Sequence, residues 1–282
     1  MDRQPLTDRL GDRLLAEYGG AAAAYSLRAL NGNGDLVVRV RRASDNAEQD
    51  FTAAEVSNGT LESFCGVGDG FVETWYDQSG NGNDATQSVA ASQPKIVSAG
   101  VFLGEVDFDG VNDSLETTNS NLCNVGALSV FSVLKPDIAP TSVAVAFSCG
   151  SVVFNSSVYG GWRLNFNGFL DKAEFQTQAI GSSGVSTVSN DVGGSDTLIS
   201  YVADFPDAST FANGEAGLTS TNNISPNNNN SSRRLFRIGC QFTFTRSGFY
   251  HEPIKEIILY TSDQSANRVA IETNINDHYN IY

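Results

Sequence analysis

The chain has 282 residues, 40% of them hydrophobic and 10% aromatic, enough to bury a sizeable core and too apolar for a disordered chain. Lys and Arg total 17 against 32 Asp and Glu, a formal charge of -15. A surface this acidic repels phosphate backbones and anionic lipid, which argues against nucleic acid and against membrane as partners.

In chain order, the opening "MDRQPLTDRLGDRLLAEY" lacks the apolar run of a signal peptide, and no membrane-length apolar stretch follows. The expectation is a chain made in a cytoplasm and not exported by the general route. Leu6, Leu10 and Leu14 recur every four residues ahead of Gly19 and Gly20, which predicts a short N-terminal helix. That stripe packs on the fold or serves, with an arm before it, to dock on a partner. The period then changes. "LVVRVR" (36–41), "FVETWY" (71–76), "LSVFSVL" (128–134), "VAVAFS" (143–148), "WRLNFN" (162–167), "LISYVADF" (198–205), "LFRIG" (235–239) and "IKEIILY" (254–260) are short β-branched and aromatic runs, parted by Gly, Asn, Asp and Ser. Crossover helices do not separate them, so the strands are expected to be antiparallel. Residues 181–196 and 222–232 are low-complexity and predict exposed loops. From Ser262 on, Ile271, Ile275 and Tyr279 restore helical spacing. The fold class expected is all-β, two stacked antiparallel sheets with a helix near each end: an arm and helix over 1–20, then one sandwich domain over 21–282.

Cys65, Cys123, Cys149 and Cys240 form no CxxC and have no neighbouring histidine, so zinc and dithiol chemistry are not expected. Buried free thiols are the expectation, disulfides the alternative. His251 beside Glu252 reads as a loop histidine, because no nucleophile is tied to it by spacing. In "WYDQSGNGNDATQ" (75–87), Asp77, Ser79, Asn81 and Gly82 mimic the start of a calcium loop, but its twelfth position is Ser88 rather than glutamate. Asp107 and Asp109 in "DFDGVND" are weak calcium candidates of the same kind. Both strings also suit tight corners, which is the reading adopted, and no cofactor is otherwise expected.

"AAAAYSLRAL", "RVRRASDNAEQD" and "LESFCGVGDGFVETWYDQSGNGNDATQ" together resemble the catalytic module of the arabinofuranosidase B family, in order and with near-matching spacing from about Leu14 to Gln87. Further on, "VDFDGVNDSLE", "LSVFSVLKP", "STFANGEAG" and "PIKEIILYTSDQSANRVAIE" are similar to the general laminin G and concanavalin A-like pattern. The resemblance implies a concanavalin A-like jelly roll. It does not carry the activity over. The family's nucleophilic glutamate falls on Gly168, beside Asn167, and its acid/base aspartate falls on Gln241; a shifted register would bring in Asp171 or Glu174. A glycine or an amide can neither attack an anomeric carbon nor donate a proton, so no enzyme is expected. The family's adjacent cysteine pair is missing, with only Cys149 nearby.

If the resemblance holds, Trp162, Asn165, Asn167 and Gln241 would line a lectin-like site, the indole stacking on a sugar ring and the amides meeting its hydroxyls. The opening strings also look like parts of tailed-bacteriophage virion proteins. The expectation is therefore a non-enzymatic virion component, on the capsid surface or tail, whose partners are other virion proteins, its own copies or a host surface glycan. The alternatives are a carbohydrate-binding module for host attachment or an arabinofuranosidase-type hydrolase.

Overall fold

The computed structural model describes residues 13–32, 35–118, 122–123, 125–136, 143–150, 161–167, 172–179, 185–191, 194–220, 226, 235–242 and 245–282. Helix α1 (Leu14–Glu17) leads into β1 (Ala23–Ser26), and β2 (Leu36–Arg42) pairs with β3 (Glu48–Thr52). Two short helices follow, α2 (Ala53–Ser57) and α3 (Thr60–Cys65). Next come β4 (Gly70–Trp75), β5 (Ala85–Thr86), β6 (Lys95–Ser98), β7 (Val101–Asp107), β8 (Leu115–Glu116) and β9 (Ala127–Leu134). The sequence continues through β10 (Ala144–Gly150), β11 (Gly161–Asn167), β12 (Lys172–Gln178) and β13 (Val185–Asp191). A meander of β14 (Thr197–Asp204), β15 (Asp207–Ala212) and β16 (Glu215–Ser220) precedes β17 (Phe236–Ile238), β18 (Gln241–Phe242), β19 (Arg246–Ser247) and β20 (Pro253–Tyr260). Helix α4 (Arg268–Tyr279) is the last element.

Apart from the β18–β19 pair, the strands form one hydrogen-bonded sheet of eighteen, folded on itself into two layers. One layer runs β1–β20–β9–β14–β15–β16. The other runs β13–β12–β11–β10–β17–β8–β5–β4–β2–β3. Strands β6 and β7 carry the bonding from β4 round to β20 and join the layers at an edge. Every pairing among the described residues is antiparallel, and the eight strands expected from the sequence are all present.

Alternation along each strand sends apolar side chains into the space between the layers. Phe175 of β12 stacks on Tyr201 of β14 with centroids 3.7 Å apart, and Tyr25 of β1 lies 6.0 Å from Phe236 of β17. A second, smaller core lies outside the first layer. There Phe131, Val133, Leu198, Val202, Ile258 and Tyr260 are covered by Leu14 and Leu15 of α1 and by Ile271 and Ile275 of α4. Leu14 is thus buried in its own fold, which corrects its assignment as a docking residue; Leu6 and Leu10 lie outside the described residues. Beneath α4 a buried ion pair ties the segment just after β1 to β20. Arg28 grips Glu256 through Nε at 2.7 Å and Nη2 at 2.9 Å, and Ser26 Oγ and Tyr279 OH donate to the same carboxylate.

Three expectations need correction. Residues 185–191, read as part of a loop, form β13 against β12. Helices α2 and α3 were not expected; Thr52 and Glu55 cap the first reciprocally, Thr52 Oγ1 accepting from Glu55 N and Glu55 Oε2 accepting from Thr52 N. Cys123 and Cys149 are joined in a disulfide, while Cys65 and Cys240 are buried free thiols.

Candidate functional site

The polar residues with the most suggestive arrangement lie on the outer face of the second layer. Strand β11 reads Trp162-Arg163-Leu164-Asn165-Phe166, so its even-numbered side chains enter the core and its odd-numbered ones face outward. The register extends this pattern across neighbouring strands. Glu116, Arg237, Ser148, Arg163 and Gln176 stand opposite one another in one row from β8 to β12, and Asn165 and Glu174 are paired in the next.

These side chains hold one another. Arg237 Nε donates to Glu116 Oε2 at 2.6 Å, and Ser148 Oγ donates to the Cys240 carbonyl at 2.9 Å. Arg163 Nε donates to Gln176 Oε1 at 2.9 Å, and its Nη1 donates to Gln241 Oε1. Gln176 Nε2 and Asn165 Nδ2 both donate to Glu174 Oε2, at 3.0 and 3.1 Å. Asn165 is 1% exposed, and its Oδ1 accepts no hydrogen bond among the described residues. Arg163 is 7% exposed; burial pulls its guanidinium down to about 10, with Glu174 opposing. Burial also lowers Arg237, with Glu116 opposing. Glu174 and Gln241 are half-buried and mark where the row opens outward.

The sequence-derived site is only partly assembled. Asn165 and Gln241 both reach the Arg163 network. Trp162 does not. It is fully buried on the opposite face, stacked with Phe175 at 5.8 Å, with Nε1 donating to the Leu122 carbonyl at 3.1 Å, so it cannot stack on a ligand. The error was one of parity, since residues 162 and 165 of one strand face opposite ways. Asn167 is the last residue of β11, and Gly168 and Asp171 lie outside the described residues. Arg163, Gln176, Ser148 and Arg237 were missed, although the alternation of "WRLNFN" and "KAEFQTQ" carries their signal.

The calcium candidates have other partners. Both Asp77 oxygens are saturated: Oδ1 accepts from Ala24 N and Ser79 N, and Oδ2 accepts from Ser79 Oγ and Asn83 N, all within 2.9 Å. Asn81 Nδ2 donates to the Ala21 carbonyl, and Gln78 clamps Leu30 N and the carbonyls of Ser26 and Arg28. The string "DQSGNGN" is therefore a clamp that pins β1, with no coordination capacity left on Asp77. Asp109 Oδ1 caps its own turn by accepting from Val111, Asn112 and Asp113 N. Asp107, Asp109 and Asp113 line a cavity of about 380 Å³ together with Phe71, Gln93 and Lys95. Burial pushes Asp113 up to about 7, reinforced by Asp109. Among the described residues, no group of three or more His, Cys, Asp or Glu side chains is placed to hold a metal ion. His251 is exposed in a loop, while Glu252 pairs with Lys135 at 2.6 Å.

No protein-family model matches the chain, and no curated protein does. Solved structures do. An arabinofuranosidase complexed with arabinofuranosyl-α-1,2-xylobiose superposes with TM-score 0.58 at 14% identity, over 94% of this chain and 64% of that one. A GH54 α-L-arabinofuranosidase mutant soaked with 4-nitrophenyl α-L-arabinofuranoside gives TM-score 0.56 at 14% identity, covering 93% and 64%. A Trypanosoma rangeli sialidase gives 0.51 at 12%, covering 73% and 31%. The likeness is one of fold. The chain is a concanavalin A-like β-sandwich that spans about two thirds of the length of those arabinofuranosidase chains. No helix among the described residues is long and apolar enough to cross a membrane.

Proposed function

We propose that this chain is a non-catalytic carbohydrate-binding jelly roll, presented on the exterior of a tailed-bacteriophage particle as a capsid-surface or tail component. The observation that supports binding is the outward row of Arg163, Asn165, Gln176 and Gln241, polar side chains held in place by one another before any ligand arrives. Sugar hydroxyls both donate and accept, and a preset array of amides and a guanidinium offers both functions at low ordering cost. The fold shared with an arabinofuranosidase and a sialidase supports the same reading.

Two features argue against catalysis. Gln241, where the resemblance puts the acid/base, is an amide with its oxygen engaged by Arg163. Among the described residues of β8 to β12, the carboxylates on this face, Glu116 and Glu174, sit on strands four spacings apart, about 19 Å at the backbone. Glycosidases need their acids roughly 5 to 9.5 Å apart. A glycan array together with 4-nitrophenyl glycosides tests both parts: retention of glycans without release of nitrophenol is expected, and turnover would refute the non-catalytic reading.

The particle setting is supported by the resemblance of "AAAAYSLR" and "WYDQSGNGN" to pieces of virion proteins. Sedimentation of native material tests it. Recovery with particles in stoichiometric amount is expected, and a free soluble species would exclude it.

A further inference from the structure

A buried cation ordinarily has a carboxylate partner, because taking it out of water costs several kcal/mol that only a close opposite charge repays. Arg163 breaks this rule. Its hydrogen-bond partners among the described residues are two neutral amides, Gln176 and Gln241, and its remaining N–H groups have none. Glu174, the described acid that acts on it electrostatically, bonds instead to Asn165 and Gln176. By contrast Arg237, in the same row, is paired directly with Glu116. Around Arg163, the described charged side chains on β8 to β12 and the neighbouring Arg246 are three arginines (Arg163, Arg237, Arg246) against two glutamates (Glu116, Glu174), a locally positive spot on a chain of net charge -15.

Two residues along the same strand face, Asn165 presents an unused, fully buried acceptor, Oδ1. Alternate residues on a strand are about 7 Å apart, close to the span of one sugar ring. One unused donor set with a positive charge and one unused acceptor call for a ligand that carries an anionic oxygen at one end and a hydroxyl at the other. We infer that the row selects an acidic sugar, one bearing a carboxylate, with the carboxylate on Arg163 and a ring hydroxyl donating to Asn165 Oδ1. A sulfate dianion has no proton to give Asn165, a hydrogen phosphate is too small to span two positions about 7 Å apart, and a neutral sugar leaves Arg163 uncompensated. This inference rests on the proposed carbohydrate-binding reading of the same face.

The test is a glycan array holding uronate-bearing and sialylated glycans, their carboxyl-reduced counterparts, and neutral and sulfated glycans, probed with the intact protein and with Arg163→Gln. The acidic glycans should be retained and their reduced forms lost, with Arg163→Gln weakening retention about 10- to 100-fold, the range expected for a charge-assisted hydrogen bond. Arg163→Lys keeps the charge without the fork and should fall between the two. Should Arg163→Gln not fold, the side-chain Nε–H resonance of Arg163 in the unaltered protein gives the same answer: it should move on addition of sodium glucuronate and stay put on addition of glucose. Equal retention of neutral and acidic glycans, with Arg163→Gln unaffected, would overturn the acidic selectivity and leave carbohydrate binding standing. Retention of no glycan, while inorganic sulfate alone moves the Arg163 resonance, would overturn both and leave a simple anion site.

Discussion

Glu256 has no exposed surface, yet it sits below the ordinary carboxylate range. Burial works against the charge; the bidentate Arg28 and the Ser26 hydroxyl outweigh it. A depressed carboxylate stabilises the fold above its unfolded-state value, about 4.3, and that contribution is lost as pH falls through the lower folded value. Glu256→Gln removes the carboxylate that Arg28 grips in the buried interior, so it should cost about 3–5 kcal/mol at pH 7 and flatten the acid limb of a stability-against-pH curve measured by denaturant unfolding. Asp113 has the opposite sign. Its carboxyl is raised to about 7, so the folded state holds the proton and stability falls as pH rises from the unfolded value toward 7. Asp113→Asn should therefore be near neutral at pH 4 and stabilising at pH 8, by about 1–2 kcal/mol after allowing for water at the cavity mouth. A destabilised Asp113→Asn at pH 8 would contradict that sign. Residues of this kind were hard to read from the chain. Nothing near Glu256 in "PIKEIILY" announces Arg28, which is 228 residues away. Trp162 was misread for a reason the sequence did contain: its parity with Leu164 and Phe166 already placed it inside.

Strands were most legible where a β-branched or aromatic run was long, as in β9, β14 and β20. They were least legible where polar residues filled both faces. β13 is "VSTVSND", whose composition resembles that of the residues on either side of it, and only its pairing with β12 makes it a strand. The short helix α2 had a readable signal, the capping pair Thr52 and Glu55, but no apolar stripe behind it. The disulfide had none, because linear spacing does not reveal that Cys123 and Cys149 approach to 5.1 Å between Cα atoms. It fixes the segment before β9 to β10, next to the Leu122 carbonyl that accepts from Trp162. With the two cysteines 26 residues apart, loop closure predicts a contribution of about 3 kcal/mol. Cys149→Ser, or full reduction, should lower the free energy of denaturant unfolding by about that amount. No change on reduction would show that the bond is not formed in solution.

Across the whole molecule the two layers are finished differently. The outer face of the first layer is mostly apolar, apart from the Arg28–Glu256 pair, and is covered by α1 and α4; that of the second carries arginines, amides and glutamates in register. A sandwich needs only its inner faces for stability, so the second layer's outer face is where the fold leaves residues available for another purpose. The sequence pointed to the right sheet, through Asn165 and Gln241, and to a jelly roll without its acids. It did not show Arg163 as the centre of that face, because strand β12, which supplies Gln176, was not recognised. The measurement that bears most directly on this account is a crystal structure of the protein soaked with whichever glycan an array retains best. The account predicts a sugar within hydrogen-bonding distance of Arg163, Asn165 Oδ1 and the Gln241 amide, its glycosidic bond intact. A sugar bound on any other face, or found cleaved, would contradict it.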